Sequence, residues 1–281
     1  MDTLDRVGIA AACAAVVVLE LVAIAGWQGW TFPLRSAHRP AEAAIQKTIT
    51  LIPDVAKAPF AQAGPPPVAP RADDAYYAQL RRKMRWVSTR MGESDLLTPD
   101  LNSRMLLVKA AADRARLWEV GLGPRDVYGI INAETSWVPR RGASKDGTPN
   151  LGIAQFEPAT ARALGLTNPH DAVESVHVAA LHMREAAVWS AERIGNLKLS
   201  ALERGVKLRE GVSIYYNLSS RGRSTWNGVN TGRLPRETQL HIMNARVGAR
   251  QADFFNSQPH AALYAPSDRT EPTLVAVTYF P

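Results

Sequence analysis

The chain has 281 residues and a single cysteine, Cys13. One thiol forms no intrachain disulfide and no zinc–thiolate cluster, so cysteine usage says nothing about the redox compartment. The sequence also lacks a His-Glu-x-x-His helix, a Gly-x-Ser-x-Gly elbow and a phosphate loop. Zincin-type hydrolysis, α/β-hydrolase chemistry and Walker-type nucleotide binding therefore lack their residues. His177 and His182 stand five apart and fit no metal-ligand pattern, so they read as solvated or packed histidines. No metal and no cofactor is expected. Acidic residues are in deficit, 26 against 33 Lys and Arg, giving a net charge of +7. That balance favours anionic partners. The basic clusters are short, however. The densest, Arg81–Arg85 followed by Trp86, reads as the solvated face of a helix. Zinc-finger, RNP and bZIP patterns are absent, so nucleic acid is not the expected partner.

What is present is an ordinary globular composition, 46% hydrophobic and 21% charged. It is preceded by an apolar run from Gly8 to Trp30. That run has the length of a bilayer-spanning helix, about 20 residues. Trp27 and Trp30 stand where an interfacial belt would lie. The reading is a single-span anchor over 1–32. A cleaved signal peptide is the alternative, with Ala23-x-Ala25 as its small-residue site. Glu20 near the centre would cost roughly 3 kcal/mol as a lone charge, which suits a group that is protonated there or faces a partner helix. From 33 to 72 the chain is rich in Pro and Ala, favours extended polyproline II and reads as a tether.

From residue 73 the patterning is mainly α. One helix is predicted over Asp73–Arg90. A second is capped by Thr98 and Pro99 and ends at Gly121. Gly123 and Pro124 start a third. Asp171 and Glu174 form an Asx version of the capping box for a long helix that stops near Gly195. Helical segments follow near Lys207–Asn217 and Pro235–Phe255. Pro139–Pro158 reads as a long ordered loop, and Thr273–Phe280 has strand propensity.

The third helix carries an anomaly. Val127, Ile130 and Ile131 recur at helical spacing, and the next position on their stripe is Glu134. Burial on an apolar face disfavours a charged carboxylate. A carboxylic acid held protonated there can give its proton to a leaving group. The plain alternative is a helix end at which Glu134 meets water or an arginine such as Arg140.

Two later segments complete a pattern. "AETSW" at 133–137 is followed by "GIAQFEPATARALGL" at 152–166 and "IYYN" at 214–217. In this order the blocks resemble those of the Slt-type lytic transglycosylases, over about half the chain. The resemblance implies a lysozyme-like α domain at 122–256, a helical extension at 73–121 and a tail at 257–281. It makes Glu134 the catalytic acid/base. Thr135, which stands where Ser is usual and keeps the hydroxyl, is implied to join Ala154, Gln155, Tyr216 and Asn217 in the substrate-binding set. Gly152, Ile153, Ala154 and Gln155 match Gly-Leu-Met-Gln. Gln155 would contact the sugar near the cleavage point, while Ala154 in place of Met removes an apolar wall of the sugar site. Tyr216 would hydrogen-bond near the acid or substrate, and Asn217 would brace the fold. Glu157 falls where an apolar residue is usual, and the interval from Glu134 to Gln155 is about three residues longer than is common.

The chemistry implied is non-hydrolytic cleavage of the β-1,4 bond between N-acetylmuramic acid and N-acetylglucosamine in peptidoglycan glycan strands. A domain with that substrate belongs in the periplasm, held at the inner membrane by the N-terminal helix, and could serve an envelope or secretion complex. Two rivals remain open. One is a hydrolase using Asp146 as a base for water, against the simpler reading of a turn residue in "KDG". The other is a non-catalytic glycan-binding scaffold. Of the tryptophans, Trp189 reads as core, while Trp137 and Trp226 suit either the core or a sugar-stacking surface.

Overall fold

The computed structural model describes residues 75–257 apart from 145. The apolar run at 8–30, the Pro/Ala tether at 33–72 and the predicted strand at 273–280 lie outside the described residues. No described helix is long and apolar enough to cross a membrane. The described chain is mainly helical. In order it forms α1 (Ala75–Lys83), β1 (Trp86–Met91), β2 (Ser94–Pro99), α2 (Leu101–Arg114) and α3 (Pro124–Thr135). Then come β3 (Arg140–Ala143), β4 (Pro149–Gly152), α4 (Pro158–Ala163), α5 (Ala172–Ile194), α6 (Ala201–Asn217), α7 (Ser220–Ser224) and α8 (Arg236–Ser257).

Helix α5 is the axis of the fold. It spans 23 residues, about 35 Å at 1.5 Å per residue. Small side chains such as Ala179, Ala180, Ala186 and Ala187 are fully buried, so α1, α2, α3 and α6 all pack against it. Buried residues from Tyr77 to Ala252 join in one core, which takes in both the extension and the domain after it. Helix α8 runs along α3 at very short range. A Cβ at Gly129 of α3 would lie 2.4 Å from the backbone oxygen of Ala245 on α8. Only a glycine allows that approach.

Several predicted features differ in the structure. The helix expected over 73–90 stops at Lys83, because the β-branched and aromatic residues of Trp86–Met91 pair antiparallel with Ser94–Pro99. Gly92, at φ +61°, makes the tight turn between them. Pro99 therefore ends a strand, and Asp100 is the N-cap of α2, its side chain accepting from Ser103 N. The predicted loop after Pro139 holds a second hairpin, β3 with β4. Glu174 does not close a capping box with Asp171. Asp171 accepts from Val173 N and Glu174 N, while the Glu174 carboxylate takes the Thr167 and Asn168 amides. Of the basic cluster, Arg82, Lys83 and Arg85 are exposed as expected, while Arg81 is partly buried and bonds Asp171 at 2.5 Å. Helix α6 begins earlier than the sequence suggested, where Ser200 and Glu203 form a full capping box.

Candidate active site

Helix α3 starts on Pro124, with the Asp126 carboxylate accepting from Gly123 N. Its apolar stripe is buried, Val127 at 0% and Ile130 at 2% exposure. The stripe carries Glu134 into the interior, and its side chain keeps 14% exposure. The helix then ends abruptly. Ser136 and Trp137 both adopt left-handed φ values, 51° and 69°. Such a conformation is costly for a bulky residue and persists only where packing over-determines it. Here the Trp137 ring is fully buried against Tyr128, and its carbonyl accepts from Thr98 Oγ1 at 2.7 Å.

The arginine near Glu134 does something other than pair with it. Arg140 donates to the carbonyls of Thr135 at 2.6 Å and Glu134 at 3.2 Å. It thus satisfies acceptors that a helix C-terminus leaves orphaned. Burial lowers the Arg140 pKa, and the negative charge of Glu134 opposes that shift.

The partner of the Glu134 carboxylate comes from 107 residues away. His241 Nε2 of α8 lies 2.7 Å from Glu134 Oε1. His241 is itself buried, at 6% exposure, and among the described residues its Nδ1 has no hydrogen-bond partner. That asymmetry bears on the tautomer. Hydrogen on Nε2 lets His241 donate to Oε1 and leaves only a lone pair at Nδ1. Hydrogen on Nδ1 would strand a buried donor, at a cost of about 1–3 kcal/mol. Glu134 Oε2 has no recorded partner among the described residues. The Tyr216 ring of α6 lies nearly parallel to the His241 ring, with centroids 6.4 Å apart. Tyr216 Oη donates to the Ala154 carbonyl at 3.1 Å. Three helices thus meet at one carboxylate.

Other predicted site residues take supporting positions. Thr135 is fully buried, and its hydroxyl donates to the Ile153 carbonyl at 2.8 Å. Ala154 is also fully buried. Neither side chain reaches a surface that a sugar could touch, so both are corrected from substrate contacts to supports behind the site. The Gln155 amide donates to the carbonyls of Arg140 and Gly152. This binds the second hairpin to the strained turn at Gln155, whose φ is +50°. Asn217 accepts from the buried Thr238 hydroxyl and pins α6 to α8. Glu157 is the N-cap of α4 and accepts from Ser144 Oγ.

Trp137 and Trp226 are both fully buried, which settles their role as core. Trp189 is half-buried and stacks on Trp226. His177 is a packed histidine, bonded to the Val173 carbonyl and edge-on to Tyr77. His182 sits among Phe156, Tyr215 and Tyr216. Asp146 is exposed and accepts from Thr148 N at 2.9 Å, which lowers its pKa. It is a turn residue. Among the described residues, no group of three or more His, Cys, Asp or Glu could hold a metal ion.

The sequence reading missed His241. It lies on the buried stripe of α8, with Thr238, Ile242, Ala245, Ala249 and Ala252. A polar residue on a core stripe is the signal that singled out Glu134, and it was available at His241 too.

Tyr216 gives the site a measurable electrostatic mark. Burial, with the charge of Glu134 added, raises the Tyr216 pKa well above 10.0. The unfolded chain ionises this phenol near pH 10 while the folded chain keeps its proton. The stabilisation is complete below that pH and is lost as pH rises past it. Thermal unfolding followed across roughly pH 8 to 11 is expected to show this fall, and Tyr216→Phe is expected to flatten it.

No protein-family profile matches the chain, and no solved structure matches it. It is similar to a protein of Enterobacteria phage PRD1 named "Transglycosylase", 32% identical over 84 residues. The match covers 30% of this chain and 29% of the phage protein.

Proposed function

We propose that this protein is a peptidoglycan-cleaving transglycosylase of the lytic, non-hydrolytic kind, with Glu134 acting first as acid and then as base. The observation that carries this reading is a mostly buried carboxylate with one oxygen fixed by His241 and the other without a partner among the described residues. The order of the three sequence blocks and the transglycosylase named in the phage support it.

The reaction needs one proton carrier. Glu134 Oε2–H protonates the glycosidic oxygen, and the bond from that oxygen to C1 of N-acetylmuramic acid breaks. The substrate's own 2-acetamido oxygen stabilises the cationic C1. The Glu134 carboxylate then takes the proton from the 6-hydroxyl as O6 bonds to C1. A 1,6-anhydro ring closes, no water is consumed, and Glu134 regains its proton. One group thus does what an ordinary glycosidase divides between two carboxylates. Asp146, exposed and committed to its own turn, leaves the second role unfilled.

His241 acts here as a positioning residue. Its Nε2–H donates to Oε1 in both protonation states of Glu134, so Oε2 stays aimed at the substrate. His241→Ala is expected to lower kcat about 10²-fold with little change in KM. His241→Gln, which keeps an N–H donor, is expected to recover part of the loss. Steady-state kinetics on solubilised glycan strands would read both, and an equal fall for the two variants would remove His241 from this role.

The apolar run at 8–30 and the tether at 33–72 complete the proposal. They would hold the domain on the periplasmic side of the inner membrane, as part of an envelope or secretion complex. Fractionation of membranes with and without alkaline extraction tests the anchor.

A further inference from the structure

A chamber of about 350 Å³ lies between α3, α6 and α8, within the size range of small-ligand sites. Its floor is apolar, formed by Leu122, Ile130, Met183, Val212 and Ile242. Its rim is cationic, with Arg125, Arg209, Arg246 and Arg250. The one carboxylate in the lining, Asp126, is already held by Arg209 at 2.7 Å and by Gly123 N. Arg125 and Arg246 are braced from outside the chamber by Asp253 and Glu210, yet their side chains stay 45% and 48% exposed. A guanidinium carries five N–H donors, so one bracing carboxylate orients it without exhausting it. Fixed guanidinium groups over an apolar floor select a carboxylate-bearing ligand with a small apolar body.

The chamber lies one helical turn from the Glu134 site. Ile130 is one helical turn from Glu134 on α3, Ala245 one turn from His241 on α8, and Ser213 one turn from Tyr216 on α6, and all three line it. Counted along the helices at 1.5 Å per residue, its arginines lie roughly 7–14 Å from the three site residues. An extended peptide of two to four residues covers about that distance.

We propose that this chamber binds the anionic peptide branch of the glycan substrate. That branch hangs from the muramic sugar whose C1 is attacked, and it combines alanine methyl groups with free carboxylates. The inference rests on the cell-wall reading above and adds a substrate preference to it: strands that still carry peptides.

The test has two arms. In the first, the full chain in detergent is titrated calorimetrically with the tripeptide L-Ala-γ-D-Glu-meso-diaminopimelate and with its amidated form. Saturable binding is expected for the first peptide only. Arg246→Gln is expected to weaken it about tenfold. Val206→Glu places a negative charge at the exposed mouth, where Val206 is 41% accessible, and is expected to weaken it as well. Absence of saturable binding, equal binding of the amidated peptide, or indifference to both variants overturns the proposal. In the second arm, cleavage of peptide-bearing strands is compared with cleavage of strands stripped by an amidase. A higher KM on stripped strands is expected. Equal KM values sink the chamber proposal and leave the glycan-cleavage reading standing. Failure to cleave either strand sinks that reading, while the peptide titration still decides the chamber.

Discussion

Glu134→Gln is expected to slow release of soluble fragments from purified peptidoglycan by about 10³-fold, the size of losing a positioned proton carrier. The change is nearly isosteric. The Gln side-chain oxygen still accepts from His241 Nε2, now 2.7 Å from Oε1, so the helix end and the sugar-facing surface persist. What is lost is a group that can give a proton and take one back. Binding of the variant to insoluble peptidoglycan in a pull-down is therefore expected to match that of the unaltered protein. A variant that keeps more than a tenth of the activity would show that the proton comes from elsewhere and would reopen the case for Asp146.

Gly152→Ala is expected to destabilise the fold by about 3 kcal/mol or more, because two costs combine. Gly152 sits at φ +75°, where a non-glycine residue costs about 1–3 kcal/mol. An added Cβ would also lie 1.8 Å from the Pro169 carbonyl oxygen, and overpacking of a rigid backbone costs a similar amount again. For a domain of this size that amounts to a fall in Tm of roughly 6–12 °C, readable by calorimetry. A shift of a degree or less would mean that the segment after Pro169 yields easily. The same glycine opens the Gly-Ile-Ala-Gln block, so its place in the sequence pattern has a steric cause rather than a chemical one.

Part of the candidate site is legible in the sequence. Glu134 stood out because helical spacing placed a carboxylate on the stripe of Val127, Ile130 and Ile131, and that stripe is buried. The helix starts at Pro124 and Ala172 carried their own signals in proline and Asx residues. Both hairpins escaped. The first has basic residues running into its opening strand, which mimics a helix face, and the second is built from "RRGA" and "PNLG", with almost no strand propensity. Its pairing comes from the Gln155 amide bridging Arg140 and Gly152, a tertiary device that local pattern does not carry. Thr135, expected at the substrate, and Trp137, open to either the core or a sugar-stacking surface, both face inward, because the left-handed turn at Ser136 and Trp137 swings the chain back under the helix. His241 was hidden by distance along the chain: only the close packing allowed by Gly129 against Ala245 brings α8 to Glu134.

The central claim, one carboxylate serving as acid and then base without water, is tested most directly by the masses of the products. Peptidoglycan digested by the purified protein is expected to yield fragments ending in 1,6-anhydro-N-acetylmuramic acid, one water lighter than hydrolytic products, and the Glu134→Gln variant is expected to yield none. Fragments with ordinary reducing ends would contradict the account, since a water would then have attacked C1 and a second group would have had to activate it.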